Sequence, residues 1–142
     1  MLFRSHRESF QELVDGHVDI LFANEMEITS LYRANHFQEA VDQVRGRCRV
    51  AALTRSAEGS LVLSGEQTLP IAPFHLGELV DTTGAGDLYA AGFLHGYTRG
   101  ESLERCGLLG SLCAGQVVTQ LGPRPQADLQ ALAGQHLAAI SA

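Results

Sequence analysis

The sequence has no cluster of Lys or Arg, no Gly-Lys-Ser or Gly-Lys-Thr, and no apolar run approaching the about 18 residues a membrane helix needs. Ten basic residues are scattered among sixteen acidic ones, giving a formal charge of -6. That balance argues against a nucleic-acid surface or an anionic-membrane surface. The missing glycine-lysine loop excludes a Walker-type phosphate site together with its lysine clamp. Cys48, Cys106 and Cys113 are odd in number and stand in apolar stretches without metal-ligand or redox spacing. They read as packing residues in a reducing cytosol. No two of the six histidines are spaced i, i+4, so a helical zinc cage is not expected, and His95 and His136 read as surface or packing residues. Met1 to Ser9 is too polar for a signal peptide, and a cytoplasmic protein is expected.

What is present suits one folded domain. At 142 residues and 45% hydrophobic content, the chain can bury a real core but is too short for two domains, so one compact unit is expected. Ser5-His6-Arg7-Glu8 reads as a capping box before Phe10, Leu13, Val14 and His17 at helical spacing. The apolar run Val18–Ala23 predicts a buried strand feeding a helix over Glu25–Arg33. Phe37, Ala40, Val41 and Val44 line one face of a further helix, and Arg49–Leu53 predicts a second buried strand. Leu61–Leu63 and Thr68–Ile71, around Ser64-Gly65-Glu66, read as a hairpin that could form an antiparallel edge. From Gly86 the pattern is helical, broken at Tyr97-Thr98-Arg99-Gly100 and resumed over Leu103–Gln120. Gly122-Pro123-Arg124-Pro125 stops that helix, and a last one carries Leu129, Leu132, His136, Leu137 and Ile140. Strands alternating with helices imply an α/β fold with a mostly parallel sheet and a crevice at the carboxyl ends of its strands. Asn24, Thr54 and the segment described next would converge at that edge.

Asp81-Thr82-Thr83-Gly84-Ala85-Gly86-Asp87 opens a helix of small residues. Two glycines permit a tight turn, leave the backbone uncovered, and point successive N–H groups outward at the positive end of a helix. Such a turn suits an anion. An acid within it would repel that anion, so chemistry beside a phosphate is a better account than phosphate binding alone. The plainer alternative is that Asp87 complements the helix dipole and the glycines only form a turn. A dinucleotide site does not fit, because Tyr89 stands where the third glycine should be.

This segment, with the small pair Ala91-Gly92 and the apolar pair Phe93-Leu94 behind it, resembles a signature of the ribokinase-like (PfkB) family of carbohydrate and nucleoside kinases. Val18 to Pro125 as a whole is similar to the C-terminal half of adenosine kinase-like members. The resemblance implies a partial ribokinase-like three-layer fold with a C-terminal helical segment. Residues 1–142 would be the ATP-side catalytic half, with the N-terminal substrate and lid half, including its Gly-Gly element, absent. It implies an ATP- and Mg²⁺-dependent kinase of a hydroxymethyl group on a sugar or nucleoside, adenosine first.

In that family role, Asp87 takes the proton from the acceptor hydroxyl while Gly84, Ala85 and Gly86 lend their amides to the transferred phosphoryl group. Asn24-Glu25-Met26-Glu27 resembles the Asn-x-x-Glu element that organises magnesium, although Asn24 with Glu27 also reads as a capping box. Thr54-Arg55-Ser56-Ala57-Glu58-Gly59 resembles the nucleotide-contacting loop, in which Thr54 and Gly59 would touch ATP along with Gly84 and Gly86; Ser56 stands where many relatives carry glycine. Read without the family, the same stretch is an ordinary polar connection. Asp81 and Thr83 match positions that bind a monovalent cation, K⁺, in some relatives. Gly110–Gly115 would flank the adenine, a role that helix packing explains equally well. A half-sheet would leave an unpaired edge, so self-association or a complementing N-terminal half is expected. The rival reading is a truncated, non-catalytic nucleotide-binding fragment.

Overall fold

A computed structural model describes residues 2–117, 119 and 128–137. Instead of the single unit expected, it has two compact units: the chain through Ser56 together with Leu61–Pro70, and Ala57–Ser60 together with the chain from Ile71 onward.

The first unit is built on a sheet. Its elements are α1 (Leu2–Gly16), β1 (Ile20–Asn24), α2 (Glu25–Leu31), α3 (Phe37–Val44), β2 (Val50–Thr54) and the larger parts of β3 (Ser60–Ser64) and β4 (Gln67–Ile71), whereas Ser60, Ile71 and all but the first residue of the 3₁₀ turn Ser56–Glu58 belong to the second unit. The strands lie in the order β1-β2-β3-β4. Val50, Ala51, Ala52 and Leu53 are all buried, which is why β2 reads as a continuous apolar run and not as an alternating one. β1 and β2 pair in parallel, in a register running from Ile20 opposite Val50 to Asn24 opposite Thr54. The five-residue link to β3 and the two-residue turn Gly65-Glu66 are too short for parallel crossovers. The sheet is therefore mixed, its parallel character confined to the first pair and the hairpin forming the antiparallel edge.

Ile28 and Leu31 of α2 and Ala40, Val41 and Val44 of α3 pack with Ala23, Ala51, Leu53 and Leu63 as the core of this unit. Helix α1 adds Val14 and Phe10 to this core and is tied down by polar side chains as well. Arg7 Nε donates to the Ser30 carbonyl at 2.8 Å and Gln11 Nε2 to the Leu31 carbonyl at 2.7 Å, satisfying acceptors that the end of α2 leaves open. A non-helical residue, His6 (φ -130°, ψ 29°), kinks α1 close to the expected capping box, and helical backbone continues on its N-terminal side to Leu2.

The second unit contains α4 (Ala85–Thr98), α5 (Leu103–Val117) and α6 (Leu129–Leu137). Helices α4 and α5 pack through glycines. A Cβ on Gly92 would lie 2.6 Å from the Leu109 carbonyl oxygen and 2.9 Å from Cys113 Sγ; one on Gly110 would lie 2.9 Å from the Tyr89 carbonyl oxygen. Tyr89, Phe93 and Tyr97 stack in succession along α4, with centroids 6.3 Å apart at each step. Phe93, Cys106 and Leu112 are fully buried. Helix α5 is described over Leu103–Val117, and its expected end at Gln120 lies outside the described residues, as do Gly122–Pro125 and Ile140. The three cysteines are free thiols. Burial pushes each thiol up from its ordinary value, in keeping with packing residues and not with nucleophiles. Among the described residues, no helix is long and apolar enough to cross a membrane.

Candidate active site

The turn before α4 is organised by its own side chains. One oxygen of Asp81, Oδ1, accepts from the Thr83 N–H at 3.0 Å and from Thr83 Oγ1 at 2.7 Å. The two residues expected to hold a monovalent cation thus meet each other, as an aspartate-led turn requires. Gly84 follows as the N-cap at φ 80°, a left-handed conformation that glycine adopts without steric cost, and it has no side chain to cap the helix.

The first i, i+4 bond runs from Leu88 N–H to the Gly84 carbonyl at 2.9 Å. Helix geometry therefore gives the amides of Gly86 and Asp87, in the turn before it, no intrahelical acceptor. Ala85 requires a correction. Its N–H, expected to face an anion, donates to the Thr82 carbonyl at 3.1 Å and closes the turn. Asp87 is exposed in this first helical turn. A Cβ placed on Gly86 would meet nothing within 4 Å, so the space over the turn is open. Leu79 and Val80, 70% and 53% exposed, lead into it.

Two residues after Asp87, the chain is anchored by a residue whose role sequence reading missed. The Tyr89 hydroxyl pairs with the Ser60 hydroxyl at 2.8 Å, buried within the same unit. Burial pushes the Tyr89 phenol up to about 12, and the Ser60 hydrogen bond pulls the other way. Nothing near Tyr89 in the chain marks this contact, which spans 29 residues. Gly59, expected to contact nucleotide, is at φ 92°, and a Cβ there would collide with the Ile71 carbonyl oxygen and lie 3.1 Å from Pro73. This glycine is required by the local chain path. Gly110 and Gly115, expected beside an adenine, abut Tyr89 and the Phe74 carbonyl, so packing accounts for both.

In the first unit, the carboxyl ends of β1 and β2 bring Asn24 and Thr54 into register as neighbours. Two of the three sequence features expected at that edge therefore meet; the glycine turn belongs to the other unit. Asn24 caps α2 through a complete capping box. Its Oδ1 accepts from the Glu27 N–H at 2.7 Å, and Glu27 Oε1 accepts from the Asn24 N–H at 2.9 Å. Among the described residues no hydrogen bond reaches Glu27 Oε2, which leaves a hard oxygen donor of the type Mg²⁺ and its waters prefer. No group of three or more His, Cys, Asp or Glu is arranged to hold a metal among the described residues.

Beside this pair, Arg55 makes a fork onto Glu25. Its Nε lies 3.3 Å from Oε2 and its Nη2 3.3 Å from Oε1. The same guanidinium lies 4.3 Å above the centre of the Phe37 ring. Ser56, the next residue, is held at φ 51°, a left-handed conformation that costs a residue with a Cβ roughly 1–2 kcal/mol.

Comparison with known proteins shows the family. The model of the pfkB family of carbohydrate kinases matches residues 3–129. The chain belongs to that family. The structure of an adenosine kinase from Sinorhizobium meliloti superimposes with a TM-score of 0.90 at 48% identity, over 94% of this chain and 41% of that one. A probable sugar kinase from Rhizobium etli gives 0.91 at 46% identity, over the same shares of the two chains. A nucleoside kinase of Methanocaldococcus jannaschii is 33% identical over 116 residues, 82% of this chain and 37% of that protein. The chain thus spans about two-fifths of the length of the pfkB kinases it matches. Its fold is the corresponding part of a ribokinase-like fold.

Proposed function

We propose that this chain carries the ATP-side catalytic part of a phosphotransferase acting on a hydroxymethyl group of a nucleoside or sugar, with adenosine the first candidate. One observation carries the reading: an exposed carboxylate, Asp87, shares the first turn of α4 with amides that have no helical acceptor and with open space over Gly86. Asp87 would take the proton of the acceptor hydroxyl as its oxygen attacks the γ-phosphate. The glycine turn, with the amides of Gly86 and Asp87 in place of that of Ala85, would stabilise charge on the phosphoryl group in flight. Asn24 and Glu27 would hold Mg²⁺ through its waters, Mg²⁺ supplying charge neutralisation when bound. Asp81 and Thr83 are the candidates for a monovalent cation, and Thr54 and Gly84 for contacts to the nucleotide. Adenosine is favoured over other acceptors by the 48% identity to a protein described as an adenosine kinase.

On this reading, the groups that recognise the acceptor come from a complementing N-terminal half, on the same chain or another. The edge position of β1 supports that, because a parallel strand of sequence Ile-Leu-Phe-Ala is normally covered on both sides. The test is Asp87→Ala, assayed with ATP and adenosine in whichever form of the protein turns over, alone or complemented. Turnover should fall by roughly 10² or more while ATP affinity is retained. Undiminished turnover refutes the assignment, and unchanged ATP binding with no turnover in any form favours a nucleotide-binding fragment.

A further inference from the structure

Ser56 is one of two residues other than glycine with positive φ among those described, and it sits directly after Thr54 and Arg55 at the carboxyl end of β2. Serine does not settle into this conformation on its own merit, so the neighbouring structure must impose it. An anchored side chain is adjacent. Arg55 is tied at its far end to two elements: by two parallel N–H to oxygen contacts to Glu25, the first residue of α2, and by its planar face to the ring of Phe37, the first residue of α3. Fork geometry fixes the guanidinium plane as well as its position, which a single point contact would not do. Glu25 in turn follows Asn24, the register partner of Thr54. The cross-link therefore joins the two strand ends that the proposed function uses.

We infer that Arg55 is a positioning residue: its guanidinium, forked onto Glu25 and laid on Phe37, holds the backbone at Ser56 left-handed and so keeps Thr54 set beside Asn24. Where a chain has glycine at that position no such clamp is needed, because glycine adopts the conformation unaided. The role of Thr54 toward ATP rests on the proposed function; the coupling between Arg55 and Ser56 does not.

The experiment is a cycle of Arg55→Ala, Ser56→Gly and the double variant in the full chain, read in two ways. Amide hydrogen exchange across Thr54–Ser56 is followed without ligand, and ATP affinity is titrated with Mg²⁺ by calorimetry. Arg55→Ala should speed exchange at Ser56 and weaken ATP binding, each by about tenfold, and Ser56→Gly in the same chain should restore both. Arg55→Lys, which keeps the charge without the fork or the planar face, should behave like Arg55→Ala. It also serves if the alanine variant does not fold. An Arg55→Lys chain with wild-type exchange, or a double variant as impaired as Arg55→Ala alone, overturns the inference. A merely structural salt bridge would lower stability equally whether serine or glycine follows it, so equal losses in the two backgrounds also overturn it. If the wild-type chain binds no ATP, the proposed function fails while the exchange cycle still decides the clamp.

Discussion

Gly84 stands at φ 80°, where any Cβ brings backbone strain, whereas Gly86 has ordinary helical backbone with empty space above it. Under the proposed function, substitution at Gly84 would be felt first in folding and substitution at Gly86 first in binding. Gly84→Ala should destabilise the chain by roughly 1 kcal/mol or more. Gly86→Ala should leave the unfolding midpoint nearly unchanged, yet weaken ATP binding roughly tenfold by setting a methyl over the amides. Thermal unfolding paired with calorimetric titration checks both; a Gly86→Ala chain with full ATP affinity would remove these amides from the site. The turn itself was readable because its geometry is local: Thr83 donates to Asp81, Ala85 donates to Thr82 and Gly84 supplies the left-handed backbone, all within five residues. Arg55 was not readable in the same way. Its partner Glu25 is 30 positions away and Phe37 lies on another helix, so nothing in the neighbouring sequence distinguishes it from a solvated arginine.

Helices α4 and α5 show how much an element owes to residues that contribute no side chain. At Gly92 the nearest atom to a new methyl is backbone, the Leu109 carbonyl oxygen at 2.6 Å, which has no flexible end to move away. Gly92→Ala should cost about 1–3 kcal/mol through forced separation of the two helices. Gly134, exposed inside α6 with nothing within 4 Å of a Cβ, gives the opposite expectation: Gly134→Ala should stabilise by roughly 0.5–1 kcal/mol through helix propensity alone. Urea denaturation of the two variants tests the difference in sign. The existence of these helices and of β2 followed from periodicity and from an unbroken apolar run. Their ends followed less well, because termini are set by partners far along the chain. Helix α1 kinks at His6 while its later residues bind the carbonyls closing α2, and α2 itself stops at Leu31 before Arg33 turns to φ 50°. The mixed sheet was legible only in part: the short hairpin announced an antiparallel edge, whereas the alternation of strand and helix suggested more parallel pairing than one strand pair supplies.

At the scale of the whole molecule, each compact unit contains one phenol whose titration is displaced. Burial, first among the causes, pushes Tyr32 and Tyr89 from an ordinary 10.0 up to about 12. For Tyr32, the Arg47 cation nearby pulls the other way. The folded chain therefore keeps both protons where the unfolded chain releases them. Stability from this source is full below about pH 10 and declines as pH rises toward 12. Denaturant midpoints at pH 9 and pH 11 should show the loss in both units. The Tyr32 hydroxyl is buried without a hydrogen-bond partner among the described residues, so Tyr32→Phe should cost little at neutral pH and reduce the alkaline loss in its unit, the remainder coming from the buried Cys48 thiol. An unchanged alkaline loss in the Tyr32→Phe chain would show that Tyr32 titrates normally. No sequence pattern signals either phenol, because burial is a property of the completed core.

The left-handed backbone at Ser56 also bears on how this chain can change over generations. If Arg55 holds that backbone, a lineage that loses Arg55 first passes through a form with a slack strand end, whereas one that gains glycine at position 56 first can then shed the arginine, while the Phe37 ring stays needed in the core. The two substitutions have one safe sequence, and that history would be written in which combinations of the two residues are found together.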